Sequence, residues 1–327
     1  MYRSRTGIGG NRVTSIQSSA PLQQLKGQRV IVTGASGFIG NNLVRKLSEL
    51  EAEVVVIDRM QPGERYPHVE FEWADLRHLT KTYETDYLIH LAAVTNAGYA
   101  ERYPLDTYEQ NVLGTVNLLD HVNVAKRIMF PSTALVYGAS STPIKEDAEQ
   151  DPSSVYAQSK VLGEQLIKFH CARARVEYTM FRFFNVFGRG QLPMYIVPQV
   201  LKQIVEEGKV VIRNGTVMRD LLYVEDCIDA VMKLAVTPEA AGNIFNIGSG
   251  HIVSIAEVAK TAALATEQPE VEIIDLEEQI DYSPTAIIAD ITKVQSVIDW
   301  YPQVDLREGL RRMWQSDLKG AVASDRR

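Results

Sequence analysis

Apolar and polar residues alternate in blocks along the first half of the chain. Short runs rich in β-branched and aromatic residues, typical of buried strands, are separated by segments with apolar residues at helical spacing. The pattern predicts strands over Arg29–Thr33, Glu53–Ile57, Val69–Glu72, Tyr87–Leu91, Arg127–Pro131 and Tyr178–Phe183, with helices between several of them, clearest at Phe38–Leu50, Leu105–Val122 and Pro152–Ala172. This alternation predicts an α/β fold with a doubly wound, parallel sheet of the Rossmann type.

After Asn185 the pattern becomes mixed. It predicts strands near Val210–Ile212 and Asn243–Ile247 and helices near Val197–Glu207, Val224–Val236, Ser254–Ala265 and Leu306–Trp314. We therefore predict a dinucleotide-binding domain over residues 27–185 and a smaller mixed α/β lobe over 186–327, mainly substrate-binding, with segments interleaved with the first domain. The cleft between the two is the expected ligand site.

The first 26 residues have a different composition. They are rich in Ser, Arg, Gly and Gln, and the first acidic residue of the chain is Glu49. The segment lacks the apolar core of a secretory signal, and Gly7, Gly9 and Gly10 interrupt the amphipathic helix that an organelle transit peptide would need. We expect residues 1–26 to form a disordered tail.

Charge and composition narrow the class of partner. The 327 residues carry a formal net charge of −7, which argues against nucleic acid as a partner. Apolar runs stay below the roughly 18 residues that a membrane-spanning helix needs, so no membrane association is expected. Cys171 and Cys227 are far apart and lack the spacing of metal ligands. These features predict a reduced, cytoplasmic protein without a metal site.

Three glycines follow the first predicted strand and open the first helix. Gly34 allows a tight turn, Gly37 lets the backbone approach a pyrophosphate, and Gly40 lets the helix pack against the sheet. The helix begins with Phe38 and Ile39, so its free N–H groups and positive dipole end face the phosphates. The turn predicts a dinucleotide site.

Acidic residues after the second and third strands refine the choice of cofactor. Asp58 can accept hydrogen bonds from both ribose hydroxyls of an adenosine and would repel a 2′-phosphate, which favours NAD over NADP. Arg59 follows directly and would offset part of that repulsion. Asp75 and Leu76 are predicted to border the adenine, although Asp75 is equally well explained as a helix N-cap.

A tyrosine and a lysine, Tyr156 and Lys160, lie at positions i and i+4 of a predicted helix and therefore on one face. A free tyrosine has a pKa of about 10, so a phenolate near pH 7 needs about 4 kcal/mol of stabilisation. A nearby ammonium can supply part of it, which would make Tyr156 a general base or acid for an alcohol. Ser132 and Thr133 follow the strand that is predicted to end at Pro131, at the ligand-binding edge, where their hydroxyls can polarise the same substrate oxygen.

Together these segments resemble the extended short-chain dehydrogenase/reductase family, in its nucleotide-sugar epimerase/dehydratase branch. The resemblance covers about Arg29 to Trp314. Its motifs occur in the family's order: Thr33 to Gly40, Asp58, Asp75-Leu76, His90 to Ala93, Asn111 to Thr115, Ser132-Thr133 with Val136 to Gly138, Tyr156 with Lys160, Arg182 to Gly188, and Arg219 to Asp226.

The resemblance implies roles for particular residues. Thr133, Tyr156 and Lys160 would form the catalytic triad, and Lys160 would also hold the nicotinamide ribose. Leu91, Ala92 and Ala93 would line the cofactor site. Asn185 would lie near the diphosphate of a nucleotide-sugar substrate, and Arg219 would pair with a phosphate, unless it forms an ion pair with Asp220 or Asp226. The helices Leu105–Val122 and Pro152–Ala172 resemble the pair that forms a homodimer interface in relatives.

The residues after Thr133 bear on the reaction. In 4,6-dehydratases of this branch an Asp-Glu pair follows the catalytic threonine, and in sugar-acid decarboxylases a glutamate occupies the second place; here the residues are Ala134 and Leu135. The resemblance therefore favours C4 epimerisation of a UDP-sugar through a transient 4-keto intermediate. A nucleotide-sugar dehydrogenase, reductase or dehydratase is the alternative. A non-catalytic NAD(P)-binding sensor is more distant, because such proteins commonly lack the tyrosine or the lysine.

Two departures from the family's pattern concern the substrate. Relatives often carry an Arg-x-Gly-Asp stretch where this chain reads Glu278 to Pro284 without an arginine. Ile287 falls where 4-epimerases carry a residue that limits bulk at C2, and isoleucine is smaller than the tyrosine that excludes N-acetyl groups.

Overall fold

A parallel sheet forms the centre of the molecule in this computed structural model, which describes residues 21–61, 63–140, 142–276 and 286–318. Within these residues the strands are β1 Arg29–Thr33, β2 Glu53–Asp58, β3 Val69–Trp73, β4 Tyr83–His90, β5 Val122–Thr133, β6 Glu177–Phe183, β7 Asn185–Phe187, β8 Lys209–Arg213, β9 Met218–Tyr223, β10 Asn243–Ile247, β11 Ile252–Ser254 and β12 Glu272–Leu276. The central sheet has the order β3-β2-β1-β4-β5-β6-β10, and each of its pairings is parallel. The predicted α/β fold with a doubly wound parallel sheet is confirmed.

Helices cover both faces of this sheet. They are α1 Phe38–Glu49, α2 Ala97–Arg102, α3 Pro104–Tyr108, α4 Gly114–His121, α5 Val155–Ala174, α6 Ile196–Glu207, α7 Val224–Val236, α8 Ile255–Ala265, α9 Thr292–Ile298 and α10 Leu306–Met313. Val30 and Val32 of β1 join one apolar cluster and Ile31 joins the other. This two-sided burial explains the uninterrupted apolar run that predicted the strand. In the described part of the chain, no helix is long and apolar enough to cross a membrane.

One predicted helix is interrupted. The helix expected over Leu105–Val122 consists of α3, a π-helical turn at Glu109–Leu113, and α4. Within that turn Asn111 accepts a hydrogen bond from the Val94 backbone nitrogen at 2.7 Å and donates to the Val94 carbonyl oxygen at 3.0 Å. It also donates to the Ser159 hydroxyl at 2.9 Å. Residue 94 lies in the loop after β4, so the turn fixes that loop against α5.

Part of the expected tail forms a helix. Residues 1–20 of the expected tail lie outside the described residues, but Pro21–Leu25 form a 3-10 helix. Leu22 and Leu25 are buried in the core cluster that includes residues of α7. The expectation of disorder is therefore wrong for residues 21–26, because two leucines three positions apart share one face of this short helix.

The second half of the chain contributes to both parts of the molecule. A three-stranded sheet β11-β9-β7 and a parallel pair β12-β8 form the smaller lobe with α6, α8 and α10. Strand β10, however, pairs with β6 from Asn243↔Thr179 to Ile247↔Phe183 and completes the central sheet. The interleaving of the two lobes therefore involves the edge of the central sheet itself, and the domain boundaries stay a prediction.

Candidate active site

A cleft of about 530 Å³ lies at the carboxyl ends of β1, β2, β4, β5 and β6, where it meets residues of the smaller lobe. Its size is within the range of small-molecule sites. The residues predicted to act in catalysis, or to bind the cofactor or the substrate diphosphate, all line this cleft: Gly34, Gly37, Phe38, Ile39, Asp58, Arg59, Asp75, Leu76, Leu91, Ala92, Ala93, Thr133, Tyr156, Lys160, Asn185 and Arg219. The structure brings the predicted residues together, while their roles stay predictions.

The glycine turn is tightly packed at two positions. Gly34 has a φ of +72°, and a Cβ there would lie 2.5 Å from the Ala92 backbone nitrogen. A Cβ on Gly40 would collide with the carbonyl oxygen of Gly34. Gly37 precedes α1 and makes no side-chain cap, so the first N–H groups of the helix face the cleft without a capping side chain. This is the arrangement that accepts a phosphate.

Asp58 is held in place at the end of β2. One carboxylate oxygen accepts hydrogen bonds from the backbone nitrogen and hydroxyl of Ser36 at 2.9 and 2.7 Å. The other accepts from the Met60 backbone nitrogen at 3.1 Å. Ser36 also lines the cleft and was missed in the sequence, where it is one residue between the turn's glycines. These bonds fix the carboxylate at the rim where a ribose is expected.

Asp75 does cap a helix. Its carboxylate accepts from the Arg77 backbone nitrogen at 3.0 Å and from the Arg77 guanidinium at 2.7 Å. The Arg77 hydrogen bond lowers the pKa of Asp75 to about 2. Arg59 lies 3.8 Å from the same carboxylate and donates to Gln110 at 2.8 Å. Because two guanidinium groups face it, Asp75 is a fixed anion on the cleft wall as well as a cap.

Thr133 and Tyr156 meet at the centre of the cleft. Thr133 ends β5, and Tyr156 lies in the first turn of α5, which Ser154 caps by accepting from the Ala157 backbone nitrogen at 3.2 Å. Burial raises the pKa of Tyr156 to about 12, while its hydrogen bond with Thr133 acts in the opposite direction. A phenolate at neutral pH would therefore need about 7 kcal/mol of stabilisation, more than the free amino acid requires.

Lys160 lies one helical turn beyond Tyr156. Its ammonium packs 4.2 Å from the centre of the Phe130 ring, and burial lowers its pKa to about 7, against the raising effect of Glu164. His90, at the end of β4, is also buried, and its ring nitrogens contact the hydroxyls of Thr33 and Thr115 at 2.7 and 2.8 Å. Burial, with a smaller contribution from Lys160, lowers the pKa of His90 to about 3, so this imidazole is neutral at pH 7.

Asn185 and Arg219 enter the cleft from the smaller lobe. Asn185 donates to the Asp220 carbonyl oxygen at 3.3 Å, and Arg219 donates to the Met218 carbonyl oxygen at 2.8 Å. The alternative partners proposed for Arg219 are engaged elsewhere. The Asp220 carboxylate accepts from Ser249, Gly250 and Ala289, and Asp226 accepts from the Val304 backbone nitrogen at 2.9 Å.

Several further residues line the cleft but were not predicted, because they lie in irregular loops that show no motif or periodicity in the sequence. Gln191, Leu192 and Tyr195 precede or begin α6, and the Tyr195 hydroxyl lies 3.4 Å from that of Thr95 across the cleft. Ile287, in contrast, is buried in a separate apolar cluster beside Ala134 and does not line the cleft. The stretch Glu278 to Pro284 lies outside the described residues.

The chain is similar in sequence to known NAD-dependent enzymes that act on nucleotide sugars. Residues 30–248, more than half of the chain, match the model of the NAD-dependent epimerase/dehydratase family. The chain is 28% identical to a UDP-glucose 4-epimerase from Lactobacillus helveticus over 84% of this chain and 92% of that protein. It is 32% identical to UDP-glucuronic acid decarboxylase 5 from Arabidopsis thaliana over 90% of this chain and 92% of that protein.

A solved structure has the same fold. The UDP-glucose 4-epimerase from Thermotoga maritima, determined with UDP-glucose, superposes with a TM-score of 0.81 at 26% identity, covering 90% of this chain and 99% of that one. The chain belongs to the NAD-dependent epimerase/dehydratase family. It is an NAD-dependent enzyme of the nucleotide-sugar epimerase or related type, as the resemblance implied.

Proposed function

We propose that this enzyme epimerises a nucleotide-linked sugar at C4, with a UDP-hexose as substrate. The observation that carries the proposal is the composition of the cleft. Among its described lining residues the carboxylates are Asp58 and Asp75, both at the ends of β2 and β3, far along the sheet from the Tyr156 hydroxyl. Elimination of water from the sugar needs an additional acid or base beside the triad, and no carboxylate among these described lining residues lies there.

The triad residues have separate tasks in this proposal. Tyr156 removes the proton from the sugar C4 hydroxyl and later returns it. Thr133, which hydrogen-bonds with Tyr156, polarises the same sugar oxygen. Lys160 stabilises the phenolate through its charge, and this effect is large because both groups are buried.

The residues of the first domain fit NAD. The free N-terminus of α1 and the close approach allowed by Gly37 suit the pyrophosphate, and the Asp58 carboxylate suits the adenosine ribose. Lys160 would hold the second ribose. When bound, NAD would supply a reversible hydride acceptor for the sugar, and the reaction would involve no net oxidation.

On the substrate side, Asn185 and Arg219 are proposed to hold the diphosphate, for which a guanidinium fork is suited. After oxidation the 4-keto sugar must present its other face before the hydride returns. The side chains of Leu192 and Tyr195 bound this part of the cleft, and they belong to the loop before α6 and its first turn.

The test is a panel of nucleotide sugars followed by NMR of the anomeric protons. UDP-glucose and UDP-galactose should interconvert without accumulation of NADH. Release of CO2 from UDP-glucuronic acid would contradict the proposal and identify a decarboxylase. Accumulation of a keto sugar would contradict it as well and identify a dehydratase or a dehydrogenase.

Replacement of the base tests its role directly. Tyr156→Phe should lower kcat by about 100- to 10,000-fold, the range lost with a general base, while NAD stays bound. Tyr178→Phe, on β6 and away from the lining residues, is the matched control and should leave turnover unchanged. Unaltered turnover in Tyr156→Phe would refute the assignment.

We also propose a homodimer, formed by α3, α4 and α5. Four large apolar side chains are left exposed there: Leu105, Val116 and Phe169 on these helices, at 72, 44 and 64%, and Leu113 in the π-helical turn between α3 and α4, at 58%. An apolar patch of this kind marks an interface between proteins. A cytoplasmic location stays a prediction.

A further inference from the structure

Behind the triad lies a buried ion pair that the proposed reaction does not use. Glu164 of α5 and Arg182 of β6 have side chains only 2 and 4% exposed. The Arg182 Nε and Nη2 atoms donate to the two Glu164 oxygens at 2.9 and 2.8 Å, in the bidentate geometry of the strongest such pairs. Burial of two charges is costly, so the pair is weak support for stability alone.

The position of Glu164 connects it to the site. Tyr156, Lys160 and Glu164 are at i, i+4 and i+8 of α5 and form one row on the helix. On this row Lys160 is one helical turn from Tyr156 and one turn from Glu164, and the charge of Glu164 acts on its ammonium. His90 on β4 is another ionisable group that acts on Lys160 and is neutral, and Arg182 on β6 is the cation paired with Glu164.

Further contacts fix the carboxylate. Gln150 donates to Glu164 at 3.0 Å, and the Arg182 Nη1 atom donates to the Tyr137 hydroxyl at 2.7 Å and to the Glu146 carbonyl oxygen at 3.0 Å. The Tyr137 hydroxyl donates in turn to Asn246 of β10 at 2.8 Å. A carboxylate held by this many donors stays ionised and cannot move toward the cleft.

We propose that Glu164, fixed by Arg182, is a positioning residue that keeps Lys160 in its ammonium form beside Tyr156. The inference rests on the proposed function in its account of Tyr156 as the base. Burial alone favours a neutral amine at Lys160. The charge of Glu164 opposes this effect from one helical turn away, and the Arg182 fork keeps that carboxylate from binding Lys160 and drawing it away from the tyrosine.

The isosteric substitution Glu164→Gln tests the proposal by removing the charge alone. The ammonium of Lys160 should lose its proton at a pH at least 0.5 unit lower, read from the ε-carbon signal in 13C-lysine-labelled protein and assigned with Lys160→Met. The plateau of kcat should fall about 10-fold or more, and its acidic limb should move to lower pH.

Glu146→Gln is the matched control, because Glu146 belongs to the same network through the Asn246 backbone nitrogen at 2.8 Å and does not face Lys160. It should leave the lysine titration in place. If Glu164→Gln does not fold, the double variant Glu164→Gln/Arg182→Gln removes both buried charges. Loss of the Arg182 cation acts against loss of the Glu164 anion, but Glu164 is the charge that acts on Lys160, so the titration should shift in the same direction by a smaller amount.

The NMR titration separates this proposal from the proposed function. A Lys160 signal that titrates at the same pH with and without the Glu164 charge overturns the positioning role, even if the enzyme epimerises sugars. A shifted titration in a protein without epimerase activity on any nucleotide sugar supports the positioning role and refutes the reaction instead.

Discussion

At the scale of single residues, burial acts in opposite directions on Tyr156 and Lys160. It raises the pKa of the tyrosine to about 12 and lowers that of the lysine to about 7. Below pH 7 both groups carry their protons and no base is available. Above pH 7 the pair has lost one proton, and the phenolate–ammonium arrangement becomes accessible. We expect kcat to rise with pH through about 7, measured as a pH–rate profile at saturating substrate.

The variant Lys160→Met extends this prediction. Without the lysine, the proton whose loss activates the enzyme must come from Tyr156 alone. The acidic limb of the pH–kcat profile should therefore move to higher pH, toward the tyrosine pKa of about 12. This direction is opposite to that expected for Glu164→Gln. If kcat of the Lys160→Met enzyme still rises with pH through about 7, a group other than Lys160 must titrate near that pH.

Asp58 should decide between the two dinucleotides. In Asp58→Asn the charge is lost at constant shape, so NAD binding should weaken about 10-fold, about 1.4 kcal/mol, and NADP binding should strengthen. Calorimetric titration of both cofactors measures the change. Asp120→Asn, exposed on α4, is the control. Equal losses for NAD and NADP would mean that Asp58 supports the turn through Ser36 and does not select the cofactor.

At the scale of elements, Gly163 sets the distance between α5 and the sheet. A Cβ at this position would collide with the Phe130 ring of β5, the same ring that contacts the Lys160 ammonium. Gly163→Ala should therefore displace α5, destabilise the fold by about 1–3 kcal/mol and lower kcat, although alanine is the better helix former by about 1 kcal/mol.

Thermal unfolding followed by circular dichroism, together with kcat, checks this expectation. Gln165→Ala, exposed on the same helix, removes side-chain bulk without a steric conflict and should leave both values nearly unchanged. A melting temperature that rises in Gly163→Ala would show that helix propensity outweighs the packing at Phe130.

The elements differ in how well the sequence predicted them. Strand β1, helix α7 and strand β10 have their predicted bounds. Two-sided burial leaves an unbroken apolar run in β1, α7 has an apolar face, and the apolar residues of β10 are Ile244, Phe245 and Ile247. The break in the helix at Glu109–Leu113 had no periodic signal, since it depends on contacts of Asn111 with distant residues. The strands β7 and β11 were missed because three residues are too few to show an alternating pattern of apolar and polar residues.

The residues of the cleft also differ in how well the sequence predicted them. Residues of the first domain follow strand ends in regular βα units, so their order in the sequence predicts their neighbours in space. Tyr195 and Gln191 lie in an irregular loop whose path depends on packing between lobes. Their place in the cleft could not be derived from local spacing.

At the scale of the whole molecule, the exposed apolar side chains on α3, α4 and α5 predict the oligomeric state. Leu105→Glu/Phe169→Glu should convert a dimer into a monomer, because each carboxylate would be buried without a partner. Light scattering coupled to gel filtration measures the mass. Leu264→Glu, at a leucine of α8 that is 51% exposed, is the control and should leave the dimer intact. A wild-type monomer would end the dimer proposal.

The position of β10 has a consequence for synthesis on the ribosome. Strands β1 to β6 leave the ribosome within the first 183 residues, whereas the strand that covers the free edge of β6 ends only at Ile247. During this interval the nascent chain presents an unpaired strand, a template for pairing with other chains. The cofactor-binding half cannot complete its sheet before residues 186–247 have also been translated, which makes it a poor candidate for excision as an independent module.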